Sequence, residues 1–476
     1  VNGGDVNDVV LVGFDVHAIQ AYVFAPIRPI DISGGSWLLE RFGRDVRTRI
    51  ERDHGGRTVY VGGGNGMFVL PELAVARRAA DEIERLFAKC TKGGAICSAA
   101  VGVGPDFQVA RRELAAALHA RKNGRWLEEA TVDLRSPEPP GSLCQACGRE
   151  PPVSDPDRVG DRSERIGEQC RVRRQAGRTD EPAVPGLVEL AFARDLEALL
   201  EPPAADGAGD RSSRALAVLY LDADRAGERI AGFDTADALR EFAEALQGGV
   251  RTATATALDE RGLQRRVMVP VIGGDDVLLI AEASVAAGLL ASLWDGLDAE
   301  VGARPGPTAG LTFSAGLAVA DRFVPIGVMV GAARDALHDA KHATYLARQA
   351  GGPPQPHVHA VSLGGVRRSG GTGTLFGGSI PRGHWGFGAH CSAPTVEETA
   401  RAIAGVSATQ RSGLLADLTA TGELRSLTID YRAARDRSRS LADAVACAGE
   451  LARACGQGSP WELLRSAIFA VELGWV

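Results

Sequence analysis

Lysine is almost missing from this chain. Of 53 basic residues only Lys89, Lys92, Lys122 and Lys341 are lysines, so arginine carries nearly all the positive charge. GC-rich coding accounts for such a bias without any function, yet it makes the place of each lysine informative. Long uncharged apolar runs are missing too. Asp, Glu or Arg interrupts every candidate before the roughly 18 residues that a membrane span requires. The opening residues VNGGDVND lack the basic-then-apolar pattern of a signal peptide. A cytoplasmic location with no membrane partner is the expectation. Cysteine is sparse, at eight in 476 residues, and without export no disulfide framework is expected. Cys90, Cys97, Cys391, Cys447 and Cys455 lie in apolar or helical contexts and read as buried thiols. No P-loop lysine motif occurs, which excludes a P-loop ATPase. His338 and His342 are one helical turn apart but lack the H-E-x-x-H arrangement, and His357 and His359 have no partner in their Pro/Gly loop. Gly370-Gly371-Thr372-Gly373 opens no strand–helix unit, so it is no dinucleotide fingerprint.

What is present is an ordinary globular balance, 45% hydrophobic and 24% charged, over a length that suits about two to four domains. A net charge of −7 argues against a general nucleic-acid coat and leaves room for a local basic groove. The main feature is an internal repeat. An apolar strand ending VGFD at Asp15 is followed by a helical stretch and the hairpin VYVGGGNGMFVL; a helix, the run CSAAVGVG and a helix carrying Lys122 complete the unit. From Leu216 the order returns: ALAVLYLDAD, a helix, the hairpin VMVPVIGGDDVLLIA, a helix, LTFSAGLAVA and a helix carrying Lys341. Two βαββαβ units of the ferredoxin-like kind, an α+β fold with antiparallel sheets backed by helices, are predicted.

The strongest chemical signal is the hairpin Gly273-Gly274-Asp275-Asp276 between apolar strands. Adjacent carboxylates in an apolar setting repel and raise each other's pKa, and a divalent cation relieves that repulsion. Mg²⁺ needs few protein carboxylates when substrate phosphates supply the remaining oxygens. Asp222, at the end of its own apolar strand, supplies a third carboxylate and would complete a two-metal site. The glycines allow a tight turn and close approach of a ligand.

The combination of a strand ending D-x-D, a GGDD hairpin, an S-A-G strand and an A-K helix resembles the palm of nucleotidyl cyclases and related polymerases. Two such units with a Cys-x-x-Cys insert between them resemble the large polymerase-like subunit of type III CRISPR effector complexes. The opening FDVHAIQAYVFAP and DISGGSWLLERF resemble the start of that family's first palm. The resemblance implies that Asp222, Asp275 and Asp276 bind two Mg²⁺ (or Mn²⁺), with the Ala223 carbonyl and Asp224 as further metal ligands. It implies that Gly273, Gly274 and Lys341 contact the triphosphate of ATP. The implied activity is a nucleotidyltransferase that converts ATP to cyclic oligoadenylates, with CRISPR effector subunits and guide and target RNA as partners. A non-catalytic scaffold of an RNA-guided particle and a GGDEF-like dinucleotide cyclase are the alternative readings.

Aligned to the second unit, the first reads Gly63-Gly64-Asn65-Gly66, and His17 stands where Asp224 stands. Asp15 alone cannot hold two metals, so this palm is expected to be non-catalytic. Gly63, Gly64, Asn65 and Lys122 could instead receive a second ATP. Cys144 and Cys147 form a zinc knuckle, with Cys170 as a third ligand for a structural Zn²⁺. The family's fourth cysteine would fall at Arg173, so either Asp155, Asp157, Asp161 or Glu168 substitutes or the site has lost its metal. The arginines 158, 162, 165, 171, 173, 174 and 178 could face nucleic acid or a partner, or form a solvated loop. No His-Asp pair precedes the first palm strand, so the family's HD nuclease domain is not expected. The expected division is a first palm at 1–130, a linker with the cysteine insert at 131–210, and a second palm at 211–350. A Gly/Pro-rich linker at 351–380 and a C-terminal helical domain at 381–476 follow.

Overall fold

The computed structural model describes residues 9–26, 28–104, 106–129, 143–153, 155–159, 162–178, 215–260, 262–263, 266–351, 355–363, 373–386, 394–418, 432–434, 439–456 and 459–476, with 199, 425, 429, 430 and 436. The helix expected in ELAFARDLEALLE (apart from Leu199), most of the Gly370 loop, Asp161 and Cys391 lie outside the described residues.

The first repeat folds into a four-stranded sheet of order β2-β3-β1-β4, built from β1 (Val10–Val16), β2 (Arg57–Gly62), β3 (Asn65–Leu70) and β4 (Ile96–Gly102). Alternation along β1 divides its side chains between two faces. Val10, Val12, Phe14 and Val16 pack against Phe42, Val46 and Ile50 of the helix Pro29–Asp53 and Ala76, Ile83 and Phe87 of the helix Leu73–Thr91. Leu11 and Gly13 face the other way, toward the helix Phe107–Glu129. A Cβ on Gly13 would lie 2.9 Å from Leu114, so glycine lets that helix settle on the strand. Asp15 shares this face.

The second repeat uses the same plan in β7 (Ala215–Ala223), β8 (Val267–Gly273), β9 (Asp276–Glu282) and β10 (Phe313–Asp321). Between the repeats, β5 (Asp157–Val159) and β6 (Arg162–Glu164) form a separate two-stranded ribbon. Ala217, Leu219 and Leu221 of β7 pack under the helices Ala236–Glu260 and Ala283–Leu297, while Leu216, Val218 and Tyr220 face the helix Ile326–Gln349. Each fully buried large side chain here contributes about 1.5–3 kcal/mol. The S-A-G strand has a steric reason: a Cβ on Gly316 would lie 2.0 Å from the Ala333 carbonyl oxygen. Only glycine lets the Lys341-bearing helix approach β10 this closely.

The sheet does not end at β10. Residues 351–380, expected as a linker, instead supply β11 (His357–Ser362), parallel to β10, and β12 (Gly373–Pro381), antiparallel to β11. Gly and Pro around His357–Ser362 and within Gly373–Pro381 hid both strands. The C-terminal helices Val396–Ala404, Ser440–Ala454 and Pro460–Glu472 share one apolar core with the second sheet. Trp475 donates its indole N–H to the Ala283 carbonyl at 2.7 Å and Trp385 donates to Ala287 at 3.2 Å, tying this end to the helix Ala283–Leu297.

The insert is docked on the first sheet's helix Pro29–Asp53 by its own helix Glu168–Arg178. Gly34 and Gly177 allow backbone contact, since a Cβ on either would lie within 2.1 Å of a carbonyl oxygen opposite. Arg174, fully buried, donates to both oxygens of Asp31 at 2.8 Å and reaches Glu164 at 2.9 Å. Arg173 is buried with its guanidinium 4.0 Å from the centre of the Tyr22 ring. The centre of the arginine cluster is therefore spent on holding the insert in place, which corrects the two surface readings for Arg173 and Arg174. Among the described residues, no helix is long and apolar enough to cross a membrane.

Candidate active site between two palm hairpins

Strand register places the acids. Asp222 lies opposite Asp276 in the β7–β9 pair, and Asp275 occupies the turn just before it. Carboxylate oxygens of Asp222, Asp275 and Asp276 all lie within 4.8 Å of one another. Burial, with the charges of Asp222 and Asp275, pushes the Asp276 carboxyl up to about 8. Burial likewise pushes Asp222 up to about 6, although Lys341 pulls the other way. Against this trio stands the Lys341 ammonium, which donates to Asp222 and, at 3.0 Å, to the Ala223 carbonyl. Three converging carboxylates form a donor set of the kind a hard divalent cation takes.

Asp224 is not brought into this cluster. It is buried, accepting from Thr312 at 2.6 Å and Ser314 at 2.7 Å, and Arg348 donates to Thr312 at 3.0 Å. Ser314 continues through Thr344 to the buried His357, each step 3.0 Å. Asp224 thus fastens the strand end that carries Asp222. The Ala223 carbonyl faces the Lys341 ammonium.

The first palm repeats the frame without the hairpin acids. Asp15 lies opposite Asn65, as Asp222 lies opposite Asp276, and Lys122 donates to Asp15 at 2.8 Å. Three residues after each of these aspartates stands a non-glycine residue in the left-handed region, Ala18 at φ 47° and Arg225 at φ 62°. Such residues are uncommon, and the shared position marks one design used twice. Register also moves the hairpin alignment by one residue. Gly62 pairs with Asn65 as Gly273 pairs with Asp276, so the counterpart of Gly273-Gly274-Asp275-Asp276 is Gly62-Gly63-Gly64-Asn65. Three successive glycines made the two alignments equivalent in sequence.

The two hairpins meet. A Cβ on Gly273 would lie 3.2 Å from the Gly63 Cα, so the palms touch backbone to backbone at their glycine turns. A cavity of about 300 Å³ opens on one side, lined among others by Gln20, Arg47, Asn65, Tyr220, Arg251 and Asp276. Another of about 230 Å³ opens on the other side, lined among others by Tyr60, Asn65, Phe242, Gln247, Asp275 and Asp276. Gly63, Asn65, Gly273 and Asp276 border both; Gly64 borders the larger and Gly274 the smaller, whereas Lys341 and Lys122 border neither. Pockets of about 300 Å³ and upward are the size that takes small organic ligands.

Residues 215–348 match the family model of the Cas10/Cmr2 second palm domain. The second palm is Cas10-like. The first sheet and the insert extend the likeness to solved structures across nearly the whole chain. Csm1 of T. onnurineus superposes with a TM-score of 0.59 at 16% identity, covering 98% of this chain and 70% of that one. An apo Csm1–Csm4 cassette gives 0.58 at 17%, with 98% and 70% covered, and a Csm1–Csm4 cassette in complex with cA4 gives 0.56 at 17%, with 100% and 71% covered. At these identities the likeness is one of fold. No curated protein sequence matches the chain.

The cysteines form a second cluster beside this Cas10-like core. Cys144, Cys147 and Cys170 converge with Glu150, their ligand atoms all within 4.8 Å of one another. Hydrogen bonds from the thiols of Cys147 and Cys170 hold Cys144 well below the usual thiol range, so one thiolate is favoured within the group. Glu150 was missed as the fourth member, although it stands three residues after Cys147 as Cys147 stands after Cys144. Gly167 admits it, since a Cβ there would lie 2.1 Å from the Glu150 carboxyl carbon. Of the acids expected in its place, Asp157 is engaged with Arg174 and Arg178, and Asp155 and Glu168 stay outside the cluster. Three sulfurs and a carboxylate are a donor set that suits zinc.

Proposed function

We propose that this chain is a metal-dependent nucleotidyltransferase that joins ATP into cyclic oligoadenylates as the large subunit of a type III CRISPR effector. The observation that carries the reading is the convergence of Asp222, Asp275 and Asp276 at the point where two palm hairpins meet. Support comes from like-folded Csm1–Csm4 cassettes in complex with AMPPNP, pppApApA and cA4. A Csm4-type subunit and guide and target RNA are accordingly the proposed partners.

In each step the 3′-oxygen of one nucleotide attacks the α-phosphorus of the next. The new P–O bond forms as the α–β phosphoanhydride bond breaks, pyrophosphate leaves with its electron pair, and the 3′-hydroxyl proton passes to water. Asp222, Asp275 and Asp276 would hold divalent cations, Mg²⁺ or Mn²⁺, whose charge favours the attacking oxygen and the leaving phosphate. Lys341, beside Asp222, is the chain's own positive charge for the triphosphate. Gly273 and Gly274 leave the backbone open to phosphate oxygens. In the first palm, Asp15 is paired with Lys122 and faces Asn65, so that hairpin contributes a wall for the second nucleotide and no metal site. Cys144, Cys147, Cys170 and Glu150 would hold a structural Zn²⁺.

The test is incubation with ATP and Mg²⁺ or Mn²⁺, alone and with effector subunits and target RNA, followed by mass spectrometry. Cyclic oligoadenylate that disappears in Asp275→Ala plus Asp276→Ala supports the assignment. A product made from GTP in preference to ATP would overturn the adenylate assignment.

A further inference from the structure

The motif FDVHAIQAYVFAP places Gln20 in the first palm, far from the acids in sequence. The left-handed turn at Ala18 starts the short helix Ile19–Val23 and aims it at the second palm. There the Gln20 amide has two partners. Its nitrogen donates to the Tyr220 hydroxyl at 2.8 Å, and its oxygen accepts from Arg334 at 3.3 Å. Arg334 thereby fixes which end of the amide meets the tyrosine.

Tyr220 lies two residues before Asp222 on β7, on the same face. Its register partner is Leu278, which makes Asp276 its diagonal neighbour on β9, within reach of a long aromatic side chain. Gln20, Tyr220 and Asp276 line the same 300 Å³ cavity. A hydroxyl has one proton to give. With Gln20 donating to its oxygen, Tyr220 keeps that proton for another acceptor, and the Asp276 carboxylate, diagonal to it on the same face and bordering the same cavity, is the acceptor the geometry offers. The first palm has no counterpart: Gly13 holds the equivalent position opposite Met67, and Leu114 fills the space.

We propose that Gln20 and Tyr220 form a support reaching across the two palms that orients Asp276 for its cation. Both are positioning residues. The first palm, which lacks the two hairpin acids, would thus set the geometry of the metal site in the second. The inference rests on the metal-binding reading of the three aspartates. Its consequence is that displacing the first palm weakens metal binding without touching a ligand.

Manganese binding to the full chain, followed by electron paramagnetic resonance of free Mn²⁺, tests this without needing product. Tyr220→Phe removes one oxygen and keeps the ring, so folding is preserved and the Tm should stay within about 2 °C. Loss of an outer partner of a metal-ligating carboxylate weakens metal about 10–100-fold, and a loss of about tenfold is expected. Gln20→Leu should weaken it less, and the double variant should match Tyr220→Phe, because Gln20 acts through Tyr220. Unchanged Mn²⁺ affinity in Tyr220→Phe, or additive losses in the double variant, would overturn the support while Asp276→Ala still abolished binding. Mn²⁺ binding that survives Asp276→Ala would overturn the metal reading itself, and the support with it.

Discussion

Gly273 and Gly63 face each other across the palm–palm contact, and a Cβ on Gly273 would meet the Gly63 backbone at a tight 3.2–3.3 Å. The Gly273-Gly274-Asp275-Asp276 hairpin and its first-palm counterpart come this close because Gly273 carries no side chain. Gly273→Val should force them apart, costing about 1–3 kcal/mol as an overpacking change. Product formation should fall more than stability does, since Asp275 and Asp276 follow immediately in the chain. Thermal denaturation alongside a turnover assay separates the two effects.

The raised carboxyl of Asp276 has a consequence for pH. Its folded pKa of about 8 lies above the ordinary carboxylate value, so between the two the folded state holds a proton that the unfolded state has released. Without divalent metal, stability from this group is therefore lost as pH rises toward 8. Asp276→Asn cannot lose that proton. The Tm of the metal-free wild type should fall relative to Asp276→Asn between about pH 5 and pH 8, and Mg²⁺ or Mn²⁺ should restore it most at the alkaline end.

Lys341 and Lys122 make the same bond in the two palms, each to the aspartate that ends the first strand of its sheet. Only Lys341 stands beside a carboxylate trio. Lys341→Met should raise the KM for ATP about tenfold or more, the scale of a lost hydrogen bond to a charged group. Lys122→Met should leave the rate within a few-fold and act mainly on first-palm stability. Steady-state kinetics on the two variants, side by side, distinguish them.

The insert should contain one zinc per chain, measurable by inductively coupled plasma mass spectrometry. Cys170→Ser should lose it and lower the Tm. Glu150→Ala should weaken retention against a chelator at least tenfold, because the remaining three sulfurs leave one position open. Asp155→Ala and Glu168→Ala should leave zinc content unchanged.

Much of the site could be read from the chain because its chemistry is local. Gly273-Gly274-Asp275-Asp276 brings its own turn, and Asp222 ends an apolar strand that can occupy only the middle of a sheet. Other members depended on contacts that no spacing reveals. Glu150 reaches the cysteines because Gly167 makes room for it. Arg173 and Arg174 look like a basic surface in sequence, and only the crossing of Glu168–Arg178 with Pro29–Asp53 buries them. β12 reads as linker because an edge strand tolerates the Gly and Pro that central strands do not, and β11 because its six residues stand between Pro- and Gly-rich stretches.

The sequence by itself determined the repeat, the two βαββαβ sheets, the three acids and the placement of two scarce lysines. Each of these is written in strand and helix periodicity or in a turn a few residues long. The tertiary structure decided which hairpin residue answers to which, because hydrogen-bond register rather than composition selects among Gly62, Gly63 and Gly64. It also decided the fate of Asp224, drawn to Thr312 and Ser314 and away from the trio. And it brought Gln20 to Tyr220, two residues 200 positions apart that meet because the glycine turns let the palms close on one another.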